Sequence, residues 1–395
     1  MFRLSRFMEA LRDGGPVPPS RRARGPVVIW NLVRRCNLNC KHCYSTSADT
    51  DFKGELSTGE AMAVLDQLKA AHVPALILSG GEPLLRPDLY EIAARARSLG
   101  FHLSLSSNGT LLDAAHAARL AAAGFDYVGV SLDGIEATHD RFRRANGAFA
   151  QAIAGLRTAR DAGLRVGVRM TLTEANAAEL PAVVALTEAE GIDKFYLSHF
   201  NYAGRGRSHR DDDARHAGTR AAVEWLFDHV WARAQQGRAG DFVTGNNDAD
   251  GVYLLYWLAR HRPERLGDMR ERLANWGGNA TGVGVANIDN LGNVHPDTMW
   301  WQVSLGNVRE RAFSEIWADR SHPLMRGLAA SPRPLQGRCA GCLHRDICNG
   351  NTRARAYAVS GNAWAEDPGC YLSDAEIGAQ PPAPPPAQPN TEAIA

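Results

Sequence analysis

Residues 27–45 read VVIWNLVRRCNLNCKHCYS. The apolar run Val27–Val33 predicts a β-strand. Directly beyond it stand Cys36, Cys40 and Cys43, spaced C-x3-C-x2-C. Three thiolates on one loop can hold three irons of a [4Fe–4S] cube and leave the fourth open. An open metal position lets a small molecule bind there, as it does in catalytic zinc sites. The triplet is a poor zinc site, because no fourth cysteine is near and His42 lies in too tight a loop to complete a tetrahedron.

Five more apolar runs follow, at 75–79, 101–106, 127–132, 166–172 and 194–198. Helical segments separate them. Ser57 and Glu60 form a capping box ahead of the apolar stripe Met62, Leu65 and Leu68. Pro87 suits a first helical turn, and Gly100, Gly124, Gly163 and Gly191 each suit a helix end just before a strand. This alternation predicts an α/β fold with a parallel sheet. Six units fall short of a closed eight-stranded barrel, so a partial (β/α)6 TIM-like barrel is expected, with its chemistry on the loops after the strands.

The organisation expected from this reading is an N-terminal Pro/Arg/Gly-rich arm at 1–25, a catalytic core at 26–205, a helical bridge at 206–285, a smaller C-terminal cysteine-bearing domain at 286–375, and a disordered Pro-rich tail at 376–395. Strand rhythm is expected to stop between about Asn201 and Val285. The chain has 395 residues and a net charge of +1, which makes no case for nucleic acid or an anionic membrane. Forty of its 44 basic residues are arginine, the better fork for carboxylates and phosphates. No secretory signal or membrane-length apolar stretch is visible, so the protein is expected to be cytoplasmic. There, cysteines serve more often as metal ligands or catalytic thiols than as disulfides.

All seven cysteines fall in two groups. The second is Cys339, Cys342, Cys348 and Cys370, spaced C-x2-C-x5-C-x21-C. Four thiolates can close a cube completely, which suits electron transfer or structure. Taken alone, the group fits zinc equally well.

The run from Cys36 to Tyr44 resembles the signature of radical S-adenosylmethionine (SAM) enzymes. The resemblance implies that the open iron chelates the amino and carboxylate groups of SAM, and that an electron from the cluster cleaves SAM to a 5′-deoxyadenosyl radical. Gly80-Gly81-Glu82-Pro83, after the second strand, resembles the family's GGEP motif, whose carboxylate and backbone hold the SAM ammonium. Ser107-Asn108 after the third strand and Ser131 to Asp133 after the fourth resemble segments lining the SAM pocket. Arg143 is placed to pair with the SAM carboxylate. The four C-terminal cysteines, with residues 292–297 (GNVHPD), Gly306-Asn307-Val308 and Ile316-Trp317, resemble the SPASM/twitch extensions of the family. Larger extensions carry further cysteines where this chain has Asp297 and Thr352. One auxiliary cluster is therefore expected, making two [4Fe–4S] clusters with SAM as cosubstrate.

Several longer phrases, among them LILSGGEPLLRPD, HPDTMWWQVSLGNV and CNGNTRARA, resemble the haem d1 biosynthesis branch of that family. That resemblance implies a tetrapyrrole substrate, 12,18-didecarboxysirohaem, which loses two propionates, and an external one-electron donor of flavodoxin or ferredoxin type. Arg205 and Arg207 at the barrel mouth are the expected rim contacts, and Trp300 and Trp301 an expected wall. His199, His209, His216 and His295 are candidate ligands of the substrate iron, with structural roles the simpler expectation. The alternative is a peptide-modifying member of the family.

Overall fold

A computed structural model of the chain describes residues 1–15, 25–238 and 240–378. Its centre is a nine-stranded sheet in the order β7-β6-β5-β4-β3-β2-β1-β8-β9. The strands are β1 (Val27–Val33), β2 (Ala75–Gly80), β3 (His102–Ser107), β4 (Tyr127–Ser131), β5 (Val166–Leu172), β6 (Lys194–His199), β7 (Asp241–Gly245), β8 (Val285–Ile288) and β9 (Val294–His295). All neighbours pair in parallel except β8 and β9.

Strand parity sorts the residues. Trp30, Leu78, Leu105, Val130, Val168 and Leu197 alternate onto one face and are fully buried against the flanking helices, among Leu65, Ile92, Leu120, Leu156 and Val183. Each such aliphatic side chain contributes about 1.5–3 kcal/mol on burial. The opposite, inner face carries Asn31, Ser79, Ser106, Tyr127, Ser131, Arg169, Tyr196 and Ser198. It is the polar lining of a partial barrel.

The helices are α1 (Leu4–Asp13), α2 (Thr58–Ala70), α3 (Leu89–Ser98), α4 (Ala114–Ala122), α5 (Ala137–Arg143), α6 (Ala148–Asp161), α7 (Leu180–Ala189), α8 (His216–Gln235), α9 (Ala249–His261) and α10 (Leu266–Trp276), followed by short helices in the C-terminal region. The Ser57–Glu60 capping box forms as expected at α2. Pro87 falls just before the N-cap Asp88 of α3 rather than in its first turn.

One expectation is corrected. The stretch 206–285 is not purely helical: β7 extends the sheet beyond β6. The first half of the arm packs on the sheet. Phe2, Leu4, Phe7, Met8 and Leu11 of this region are buried, and Phe2 forms a β-bridge with Thr244 of β7. The Pro-rich remainder of the arm, and the part of the expected 376–395 tail beyond residue 378, lie outside the described residues; Glu376 and Ile377, counted with that tail, instead end a capped helix over Asp374–Ile377. No described helix is long and apolar enough to cross a membrane.

Candidate functional site

The Cys36–Cys43 loop leaves the C-terminal end of β1, and the next three strand ends close round it. Gly80 and Gly81 make this approach feasible. Gly80 has φ 152°, and a Cβ there would sit 2.2 Å from the Val33 carbonyl oxygen; one on Gly81 would sit 2.1 Å from that of Arg35. Without side chains, Gly81 N donates to Val33 O at 2.7 Å and Glu82 N to Arg35 O at 2.9 Å. The backbone thus runs on beside the cysteine loop and delivers Glu82 beneath it.

Glu82 is completely buried. Its carboxyl accepts from Ser107 Oγ at 2.9 Å, Asn108 N at 2.8 Å and Leu84 N at 3.2 Å. Burial pushes it up to about 7, against the pull of those three donors. Asn108 reaches on to Asn37 Oδ1 at 2.9 Å and to Cys36 Sγ at 3.8 Å. Pro83 opens the short helical turn that follows, capped by the Glu82 side chain.

The thiols meet donors rather than apolar walls alone. Leu38 N lies 3.4 Å from Cys36 Sγ, and Arg143 Nη1 lies 3.5 Å from Cys40 Sγ. Burial, reinforced by Glu82, pushes the Cys36 thiol up to about 12, and burial raises Cys40 as well. Arg143 is no solvated helix-face arginine. It is buried, ion-paired with fully buried Asp133, and its Nε has no partner. Burial alone would lower the guanidinium, but Asp133 and Cys40 more than reverse that. Asp133 also accepts from Thr171 N at 2.7 Å, so its carboxylate is engaged in fixing Arg143. Ser131 stands half-buried at the end of β4, on the inner face. His42 stacks on Phe142 with ring centroids 4.3 Å apart.

The second group lies on the C-terminal region, where Cys339, Cys342 and Cys370 are half-buried. His344 N lies 3.4 Å from Cys342 Sγ, and burial raises the Cys370 thiol against the opposing pull of Arg338. Burial drives the Cys348 thiol well above its ordinary value. The expected extra-ligand positions do other work. Asp297 accepts from Thr281 Oγ1 at 2.5 Å and Met299 N at 2.7 Å, and Thr352 Oγ1 donates to Asn246 O at 2.8 Å. Among the described residues, no three His, Cys, Asp or Glu side chains are gathered round a single-ion centre.

The four side chains expected to meet the substrate stand in different surroundings. Arg205 lies against the cysteine loop: Nε donates to Cys40 O at 2.8 Å and Nη1 to Ser47 O at 2.7 Å, while Nη2 is buried without a hydrogen-bond partner. Arg207 is exposed. Trp300 is core, packed with Leu324, Met325 and Leu328. Trp301 does face the site region, edge-on to Tyr44 at 6.2 Å and stacked on His295 at 6.1 Å. The four histidines have protein partners: His199 with Asp250, His209 with Asp212, His216 with the Pro368 carbonyl and His295 with Asp289.

Sequence reasoning missed Asn31 and Arg169. Asn31 is fully buried and donates to Tyr44 Oη at 2.9 Å. Arg169 is the one charge inside the apolar run of β5, a signal legible in the sequence itself.

A family profile described as Radical SAM superfamily matches residues 30–186. The chain is 52% identical to pre-heme d1 synthase of Dinoroseobacter shibae, over 96% of this chain and 94% of that protein. It is 44% identical to Fe-coproporphyrin III synthase of Methanosarcina barkeri, over 89% of each. Among solved structures, Streptococcus suis SuiB bound to precursor peptide SuiA resembles it with a TM-score of 0.69 at 17% identity, over 88% of this chain and 76% of that one.

Proposed function

The chain belongs to the radical SAM superfamily, and from that premise we propose that it acts in haem d1 biosynthesis, removing two propionate side chains from 12,18-didecarboxysirohaem, with oxo groups ultimately at those carbons. The observation that carries this reading is its 52% identity to pre-heme d1 synthase over nearly the whole chain.

The residues present fit the cofactors the family implies. Cys36, Cys40 and Cys43 stand on one loop with amide and guanidinium donors at two of the sulfurs, as a negatively charged cube requires. Bound there, a [4Fe–4S] cluster and SAM supply a 5′-deoxyadenosyl radical. The chain's own part is placement. Glu82, held by three donors, offers its carboxylate to the SAM ammonium. Arg143, fixed by Asp133, offers its unpartnered Nε edge to a carboxylate beside Cys40. Ser107 and Asn108 hold Glu82, and Ser131 lines the inner face. Gly80, Gly81 and Pro83 set the backbone that presents them. Cys339, Cys342, Cys348 and Cys370 hold a second, closed cluster in this reading, and an external flavodoxin- or ferredoxin-type donor supplies electrons.

An absorbance titration of the anaerobic protein with 12,18-didecarboxysirohaem tests the substrate assignment. A spectral shift saturating at micromolar tetrapyrrole is expected. No shift there contradicts it and moves the peptide-modifying alternative ahead.

A further inference from the structure

Arg169 lies on the inner face of β5, directly across from Ser131 in the parallel register with β4. Its Nη1 donates to Ser106 Oγ, and its guanidinium sits 5.3 Å from the centroid of the Tyr196 ring. Among the described residues it has no carboxylate partner. Lys194, the other cation on this face, is paired with Asp241 at 2.9 Å. The Nε and Nη2 groups of Arg169 carry no hydrogen bond and are not sealed away. With Nη1 fixed on Ser106, the free edge is the Nε–Nη2 fork, which matches the two oxygens of a carboxylate.

The strands give up side chains to make room for this layer. A Cβ on Gly129 would lie 2.8 Å from Arg169 Cδ, one on Gly167 2.5 Å from Tyr127 Oη, and one on Gly245 2.2 Å from Tyr196 Oη. Glycine inside a strand weakens it and often marks a close approach. Here three of them leave room for the Arg169 side chain and for the Tyr127 and Tyr196 rings. The adjoining inner-face residue Ser106 directly precedes Ser107 and Asn108, which hold Glu82, so this floor lies next to the cofactor segments.

We propose that Arg169 anchors one carboxylate side chain of the substrate through its Nε–Nη2 fork, with Ser106 and Tyr196 fixing the guanidinium. The proposal rests on the tetrapyrrole reading above, since a polycarboxylated planar substrate supplies such a group. The SAM carboxylate is the other source of the same chemistry, and Arg143, against Cys40, is the better placed to take that one.

The test titrates anaerobic, cluster-loaded wild-type, R169Q and R169K proteins with 12,18-didecarboxysirohaem, with its methyl-ester form, and separately with SAM. The expected result is that R169Q weakens binding of the acid by about tenfold or more, as loss of a charge-assisted pair should. R169K, which keeps the charge without the fork, falls between R169Q and wild type. The ester binds all three alike. Equal losses for acid and ester overturn the anchor and make Arg169 a packing residue. A loss confined to SAM assigns the fork to the cofactor and overturns the anchor too. Wild-type protein that binds neither tetrapyrrole overturns the substrate reading itself. Binding of the acid by wild type and R169Q with equal affinity overturns the anchor alone.

Discussion

Burial pushes the Glu82 carboxyl up to about 7, against the pull of its three hydrogen bonds. Below that pH it is neutral, and above it anionic and able to pair with an ammonium. SAM affinity should therefore rise as pH climbs from about 6 to about 8, and E82Q should be weak and flat across the range. Equilibrium SAM titrations at several pH values check this, and a pH-independent wild-type affinity contradicts it. The same shift lowers folding stability as pH rises from 4.5 toward 7, because the folded carboxyl holds its proton longer than the unfolded one. At this scale the motifs were legible: Glu82, Ser107 and Asn108 share one hydrogen-bond network. The role of Asp133 was not, because only the fold shows its carboxylate turned to Arg143 and Thr171 N. Arg169 was readable as a lone charge in β5, but its freedom from acidic partners depends on which strands stand beside it.

The loop after β6 behaves as a clamp on the cysteine loop. Gly204 has φ 54°, and a Cβ there would meet Tyr44 O at 2.3 Å, so only glycine lets this loop lie so close. Arg205 N then donates to Cys43 O at 3.0 Å while its side chain reaches Cys40 O and Ser47 O. R205A should cost about 2 kcal/mol of stability, within the range for charged donors to backbone carbonyls, and should lower iron retention after reconstitution. R207A should alter neither. Denaturation and iron analysis check both, and normal iron in R205A with weakened tetrapyrrole binding would restore the rim role that its position at the barrel mouth suggested. Strand bounds were legible because alternating or continuous apolar runs mark them: β1 and β5 begin and end where the sequence placed them. β7 escaped because Asp241–Gly245 offers only Phe242 and Val243 as apolar signal. α1 escaped because its apolar stripe sits beside a Pro- and Gly-rich run, and its burial depends on docking to β7 and α8, far along the chain.

Across the whole molecule, the C-terminal region is locked to the barrel by buried polar ties. Arg355 forms a two-pronged pair with Asp367, at 2.7 and 2.9 Å, and donates to Phe200 O just beyond β6 at 2.8 Å. Tyr371, next to Cys370, donates to Asp250 at 2.8 Å, and Asp250 meets His199 at the end of β6 at 2.9 Å. Removing one member of such a buried pair typically costs about 3–5 kcal/mol. Both thiol groups are therefore held on one scaffold, an arrangement that cysteine spacing alone did not disclose. The proposed function requires this scaffold to direct SAM-derived radical chemistry at the propionates of a tetrapyrrole. The most direct measurement is mass analysis after anaerobic incubation of the reconstituted protein with SAM, dithionite and 12,18-didecarboxysirohaem. A tetrapyrrole lacking both ring A and ring B propionates is expected, together with 5′-deoxyadenosine. Unchanged tetrapyrrole alongside abundant 5′-deoxyadenosine would contradict it.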